Sequence, residues 1–315
     1  MSLATLRPTS RHESADISPC APRPKQPSSQ SADLERRHGP FSLSPNLRDE
    51  AAQRRRLRRD LTRATETGSF ELRFQPLLSL RQGTILGAEA MLFWPHPRQG
   101  LLPASAFVPR LDHATAPDTQ ATEQILRIDA WHLVQSCITV VNEPNSWPRH
   151  WIVSVRISSR QLSEGHLLHQ VANALEQTGL PPERLEIRLG EAVLAAIDVD
   201  TLLTLSAIRD MGIGLALDDF GTGFASLSLL KRLPLTAMKL DRSLIRDLPA
   251  DREDAAILRA IVSAGHALGL EIVADGIDTE SQRAFLAASG CDSGQGALFA
   301  QRLTASQLNG WAAMT

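Results

Sequence analysis

From residue 70 onward the chain alternates short, almost continuously apolar runs with longer stretches of helical periodicity. Runs at 70–80, 84–92, 151–157, 184–189, 213–218, 236–240, 270–274 and, briefly, near 294–298 read as strands. Most are too uniformly apolar to keep one face in water, which is the habit of parallel strands covered by helices. Between them, 121–138, 165–178, 198–210, 253–267 and 278–288 carry the helical repeat. Strands separated by helices predict an α/β fold, a TIM-like (β/α)8 barrel, with a doubly wound open sheet as the second reading. Arg81, Gln82 and Gly83 form a hairpin-like turn between the first two runs, so the first strand is expected to be antiparallel.

Residues 1–48 follow another pattern, rich in Ser, Pro, Arg and His and poor in large apolar side chains. Such a segment buries too little surface to offset its ordering entropy and is expected to be disordered, leaving 49–315 as the barrel domain. A helix at 50–66 leads into it. Leu57, Leu61 and Ala64 share one face of that helix, and Arg55, Arg56, Arg58, Arg59 and Arg63 take the others. A solvated helix held by its leucine stripe accounts for this pattern; an anionic partner is the sharper alternative.

Composition narrows the class. The 315 residues are 43% hydrophobic, enough for a real core, and the net charge of −2 gives no drive toward nucleic acid or anionic membranes. Cys20, Cys137 and Cys291 are odd in number and far apart, so no disulfide framework or zinc site is legible and a reducing, cytoplasmic setting is expected. No apolar run approaches the roughly 20 residues that span a bilayer.

The candidate chemistry centres on Leu215 to Gly223, where an apolar strand ends in Asp218 and Asp219 and a glycine-punctuated loop follows. Paired acids at a buried strand tip are costly unless a cation, donor or substrate satisfies them. Helix capping would need only one of the two. The string Asp219, Phe220, Gly221 resembles a kinase element, but no glycine-rich loop, strand lysine and His-Arg-Asp set accompanies it. Glu89, Asp218, Asp219, Lys239 with Asp241, and Asp275 all fall at the carboxyl ends of predicted strands, the face where barrel sites gather. A carboxylate-rich pocket with one lysine is what a divalent metal and a phosphate ester require.

Phe74-Gln75-Pro76, Glu89-Ala90-Met91, Asp218 to Gly223, Lys239-Leu240-Asp241, Ala274-Asp275-Gly276 and Gln295-Gly296 resemble, in order, the landmarks of the EAL domain. That family consists of TIM-like barrels that hydrolyse cyclic di-GMP to linear pGpG with two divalent cations. The resemblance makes Glu89, Asp218, Asp219 and Asp275 metal-binding positions, with Asp275 standing for a glutamate. It makes Lys239 the lysine that activates the attacking water, and Gln75, Asp219, Asp241 and Gln295 residues lining the nucleotide pocket. Glu191 becomes the acid that steadies the loop after Asp219. A homodimer is expected by analogy with the family.

Besides Asp275, three positions depart from that pattern. Arg156 stands where the family has a metal-binding asparagine and Arg188 where it has a metal-binding glutamate. Phe93 replaces an arginine that contacts phosphate. A shift of register would bring Glu186 to the metal position instead, although the spacing to Glu191 fits Arg188. Replacing Asn and Glu by Arg adds one and two positive charges, three in all. A unit charge about 4 Å from a divalent ion, at an effective dielectric near 20, costs on the order of 8 kcal/mol. The resemblance therefore implies a degenerate member. It would be a non-catalytic regulator that binds a protein partner, with or without cyclic di-GMP, and needs no cofactor. The alternatives are a sensor that binds the nucleotide without cleaving it, and an active phosphodiesterase that would need Mg²⁺ or Mn²⁺.

Overall fold

The computed structural model describes residues 45–112, 119–142, 147–223 and 227–314. The chain divides into two compact units, Met1–Ala52 and Gln53–Thr315. The disorder expected for 1–48 falls, up to residue 44, outside the described residues; 45–48 are instead helical, opened by Pro45, whose fixed φ suits a first helical turn. No described helix is long and apolar enough to cross a membrane.

In the second unit eight strands close a ring. β1 (Glu71–Ser79) pairs antiparallel with β2 (Ile85–His96), and β2 pairs in parallel with β4 (Ile152–Ile157). The parallel series continues through β5 (Leu185–Gly190), β6 (Gly214–Phe220), β7 (Ala237–Leu240), β8 (Glu271–Asp275) and β9 (Ser293–Gln295). β9 returns antiparallel to β1, which closes the barrel and excludes the open doubly wound sheet. The inverted first strand follows from the tight turn after Ser79, too short for a helical crossover.

The ninth strand was not legible. β3 (Gly100–Pro103) folds back on β2, which runs four residues past the expected end at 92. Pro95 is solvent-exposed on this hairpin, beyond the part of β2 that pairs with β4, where its missing N–H breaks no barrel ladder.

Helices α2 (Ala104–Asp112), α3 (Thr119–Asn142), α5 (Leu167–Thr178), α6 (Val199–Asp210), α8 (Arg252–Ala267), α9 (Glu280–Ala288) and α10 (Ala305–Ala312) lie between or after the strands, with the short turns α4 (Ser159–Ser163) and α7 (Leu227–Leu230). Val153, Val155, Ile187, Leu189, Leu215, Leu217, Met238 and Ile272 are buried in one large core. A second cluster holds Leu57, Leu61 and Ala64 of α1 (Pro45–Thr67) against Leu92, Trp94, Phe107, Ile125 and Ile128. The leucine stripe thus packs, and Arg55, Arg56, Arg59 and Arg63 face solvent. Trp94, which follows the Glu89 strand in sequence, is buried edge-on against Phe107 and His96 in this outer cluster, since it lies on the opposite face of β2 from Glu89.

Candidate functional site

The site sits at the carboxyl ends of the parallel strands. Glu89 lies where β2 leaves the ring, one residue before its pairing with β4 stops at Ala90. Arg156 and Arg188 are register partners near the ends of β4 and β5. Asp218 and Asp219 end β6, Lys239 lies in β7, Asp275 ends β8 and Gln295 ends β9.

Two adjacent residues of a regular strand point to opposite faces. Here the β6–β7 register shifts between Leu217 and Phe220, and Asp219 has φ 58°, the only left-handed non-glycine among the described residues. This irregularity turns both carboxylates to the barrel mouth, at a local cost on the order of 1 kcal/mol that Asp bears better than most residues. Beyond it, Glu191 Oε2 accepts from Gly221 N (3.1 Å), Thr222 N (2.8 Å) and Thr222 Oγ1 (2.8 Å), holding the start of the loop. Gln295 is fixed by its neighbour: a Cβ on Gly296 would collide with the Ile277 backbone, so glycine permits the close approach in which Gly276 N and Ile277 N donate to Gln295 O.

The acids and bases form one network. Arg188, 3% exposed, bridges Glu89 Oε2 and Asp218 Oδ1 through Nη1 and Nη2, each at 2.5 Å. Lys239 Nζ lies 3.0 Å from Glu89 Oε2, 2.8 Å from Asp275 Oδ2 and 3.6 Å from Asp218 Oδ1. Gln295 Nε2 donates to Glu89 Oε2 (2.7 Å) and Asp275 Oδ1 (3.2 Å). At the rim, Arg156 reaches Asp218 Oδ2 at 3.2 Å and Asp219 Oδ2 at 2.7 Å.

The electrostatics follow from burial and these pairs. Burial alone would raise the Glu89 and Asp218 carboxyls, but Arg188 and Lys239 outweigh it and hold both below the ordinary range. Asp219 is pushed up by burial and by Asp218, with Arg156 opposing. Lys239 is disfavoured as a cation by burial and by Arg188, yet Glu89, Asp218 and Asp275 raise it above its ordinary value, so its ammonium is firmly protonated.

Other expected residues stand apart. Asp241 Oδ1 accepts from Ser243 N (2.9 Å) and caps a turn outside the network. Gln75 is the cross-strand neighbour of Glu89 and shares its face, but its side chain makes no hydrogen bond among the described residues. Glu186 does face the interior, as alternation requires, but two residues deeper than Arg188, where it accepts from Ser154 Oγ and burial raises its carboxyl. Arg188, not Glu186, therefore reaches the mouth. Phe93 is buried with Arg302 over its ring. Gly190 was missed, because nothing in the local sequence says what crosses over it.

The EAL domain model matches residues 58–302. The chain belongs to the EAL domain family. It is 36% identical over 273 residues to the bifunctional diguanylate cyclase/cyclic di-GMP phosphodiesterase MucR of Pseudomonas aeruginosa, covering 86% of this chain and 38% of that protein. It is 35% identical over 261 residues to the cyclic di-GMP phosphodiesterase NbdA of the same organism, covering 83% and 32%. An uncharacterized protein of Sinorhizobium fredii, y4lL, is 37% identical over 263 residues, 84% of this chain and 30% of the relative. The chain thus spans only about a third of each of these relatives. Among solved structures, the MucR phosphodiesterase in complex with c-di-GMP superposes with a TM-score of 0.73 at 37% identity, covering 80% of this chain and 99% of that one.

Divalent cations are the family's usual cofactor, and the residues here do not fit one. A guanidinium already spans Glu89 and Asp218, and a second caps Asp218 and Asp219. Arginine has no lone pair to offer and stays charged. Among the described residues no group of three or more His, Cys, Asp or Glu side chains is arranged to hold a metal ion.

Proposed function

We propose that this EAL domain serves cyclic di-GMP signalling without hydrolysing the nucleotide, acting by docking on a regulatory protein with or without cyclic di-GMP bound. The observation that carries this reading is the Arg188 bridge between Glu89 and Asp218. Metal-assisted hydrolysis needs cations that polarise the phosphate and generate hydroxide from water. Two lost ligands and three added positive charges act together against such cations. Lys239 offers no substitute base, because its three carboxylate neighbours favour the ammonium. On this reading Glu89, Asp218, Asp219, Asp275 and Lys239 are vestiges of a metal site, balanced by Arg156 and Arg188 so that the barrel folds without metal.

The deciding experiment incubates purified protein with cyclic di-GMP and Mn²⁺ or Mg²⁺ and measures linear pGpG. No product above background is expected. Turnover that disappears in Asp218→Ala would overturn the reading and restore the phosphodiesterase alternative. A second reading, a nucleotide sensor, draws on Gln75, whose amide stands beside Glu89 with no hydrogen-bond partner among the described residues. Calorimetric titration with cyclic di-GMP tests the second reading: no heat at high micromolar nucleotide removes the sensor and leaves protein docking alone.

A further inference from the structure

Arg156 starts on β4 and ends on carboxylates of β6, so its side chain has to pass over β5. It crosses at Gly190, the β5 residue in register with Asp218. A Cβ built on Gly190 would lie 2.9 Å from Arg156 Nη2, with Cζ and Nε at 3.8 and 4.0 Å. The guanidinium therefore lies across the place a side chain would take. The backbone does not ask for glycine here, since φ −64° and ψ 147° suit any residue. Nor does the strand, where β-branched residues are favoured and glycine weakens pairing. What a side chain would have to displace is the end of Arg156.

We propose that Gly190 is the positioning residue of an outer clasp: by leaving β5 bare it lets Arg156 cross to Asp218 and Asp219, closing that acid pair to cations independently of Arg188. The inference rests on the reading of both arginines as replacements for cations, and deepens it by assigning them separate jobs. Arg188 is the inner plug, and removing it leaves Glu89 and Asp218 with Lys239 as their one remaining close cation in the inner network, apart from Arg156 on Asp218. Arg156 is 49% exposed; when it leaves, Asp218 keeps Arg188 and Lys239, and Asp219, 35% exposed, turns to water. The outer clasp opens readily and the inner one does not.

A double-mutant cycle between Gly190→Val and Arg156→Ala tests the contact. In the parent, Gly190→Val drives Arg156 off its acids, and the melting temperature should fall by on the order of 2–4 °C. In the Arg156→Ala background the same substitution fills an empty space on a strand, and the melting temperature should rise. A change of the same sign in both backgrounds overturns the proposal. Phenylglyoxal labelling read by mass spectrometry should show Arg156 reacting severalfold faster in folded Gly190→Val than in the parent, with Arg63 as the exposed control; an unchanged rate also overturns it. The second bar to cations is read by Mn²⁺ titration followed by electron paramagnetic resonance. Adding Gly190→Val to Arg188→Glu should tighten Mn²⁺ binding by about tenfold or more, roughly one 1.4 kcal/mol step. Equal affinity of the single and double variants would show that Arg156 bars nothing. None of these readouts measures turnover. Failure of the cycle in a parent that does not hydrolyse cyclic di-GMP would sink the clasp and leave the proposed function standing; metal-dependent hydrolysis by the parent would sink both and leave only the contact between Gly190 and Arg156.

Discussion

Replacing Arg188 by methionine removes the guanidinium while keeping a long apolar stem in its slot. Two buried carboxylates, Glu89 and Asp218, then lose their shared partner and keep Lys239 at 3.0 and 3.6 Å. Breaking a buried pair from one side costs about 3–5 kcal/mol, because the abandoned charge stays desolvated. Lys239 and Arg156 offset part of this, so the lower end applies, about 3 kcal/mol, or roughly 6–12 °C in melting temperature for a domain of this size. The sign of the pH dependence is fixed by the directions of the shifts. In the parent, Glu89 and Asp218 sit below their ordinary values of 4.5 and 3.8, so their stabilisation is present above those values and is lost as pH falls through the lowered ones. In Arg188→Met burial dominates and both acids protonate more easily. The deficit of the variant should therefore be largest at pH 7 and shrink as pH falls into and below the ordinary carboxylate range. Thermal unfolding followed by circular dichroism at pH 7, 5 and 3.5 measures it. A second variant, Arg188→Met with Glu89→Gln, should recover part of the loss at pH 7. Identical melting of Arg188→Met and parent at pH 7, or a deficit that does not change with pH, would refute the account of Arg188 as the counter-ion of the two acids.

Arg156→Asn with Arg188→Glu lowers the formal charge of the mouth by one and two, three in all, and supplies two oxygen ligands; Mn²⁺ affinity should rise from undetectable to a calorimetrically measurable level, and no gain would mean that more than charge was lost. Glu191→Ala leaves Gly221 N, Thr222 N and Thr222 Oγ1 without their shared acceptor. Amide hydrogen exchange at 221–223 should accelerate by at least about tenfold, since each such bond to a charged acceptor contributes about 1.5–3 kcal/mol. Asp129, pushed up to about 7 by burial against its bond from Ser158, stabilises the fold below its ordinary value of 3.8 and loses that contribution as pH rises through 7. Asp129→Asn should therefore gain more stability relative to the parent at pH 8 than at pH 5; equal differences at the two pH values would count against burial as the cause.

The apolar runs and their spacing determined an α/β fold of covered parallel strands, because a strand buried on both faces has to be apolar almost throughout; the pairing of β9 with β1 decided for the barrel over the open sheet. The turn at 81–83 determined the inverted first strand for an equally local reason, chain length. The same local logic placed Glu89, Lys239, Asp218 and Asp275 at one end of the ring and put Arg188 on the interior face. Helix α1 was legible down to its packed stripe, Leu57, Leu61 and Ala64.

Tertiary structure decided the rest. Alternation alone would have sent Asp219 away from Asp218; a shifted register and one left-handed residue brought them together, and both depend on how β6 meets β7. The strand β3 and the extension of β2 form a hairpin beyond the β2–β4 pairing, where the missing N–H of Pro95 is tolerated. Trp94 was turned outward by the face of β2 it occupies. The charge of Arg156 was visible in the sequence, but its reach across β5 was not, since it requires an empty place at residue 190, thirty-four positions along the chain. Contacts between strands that are not neighbours leave no periodic trace, and electrostatic balance at the mouth is set by just those contacts.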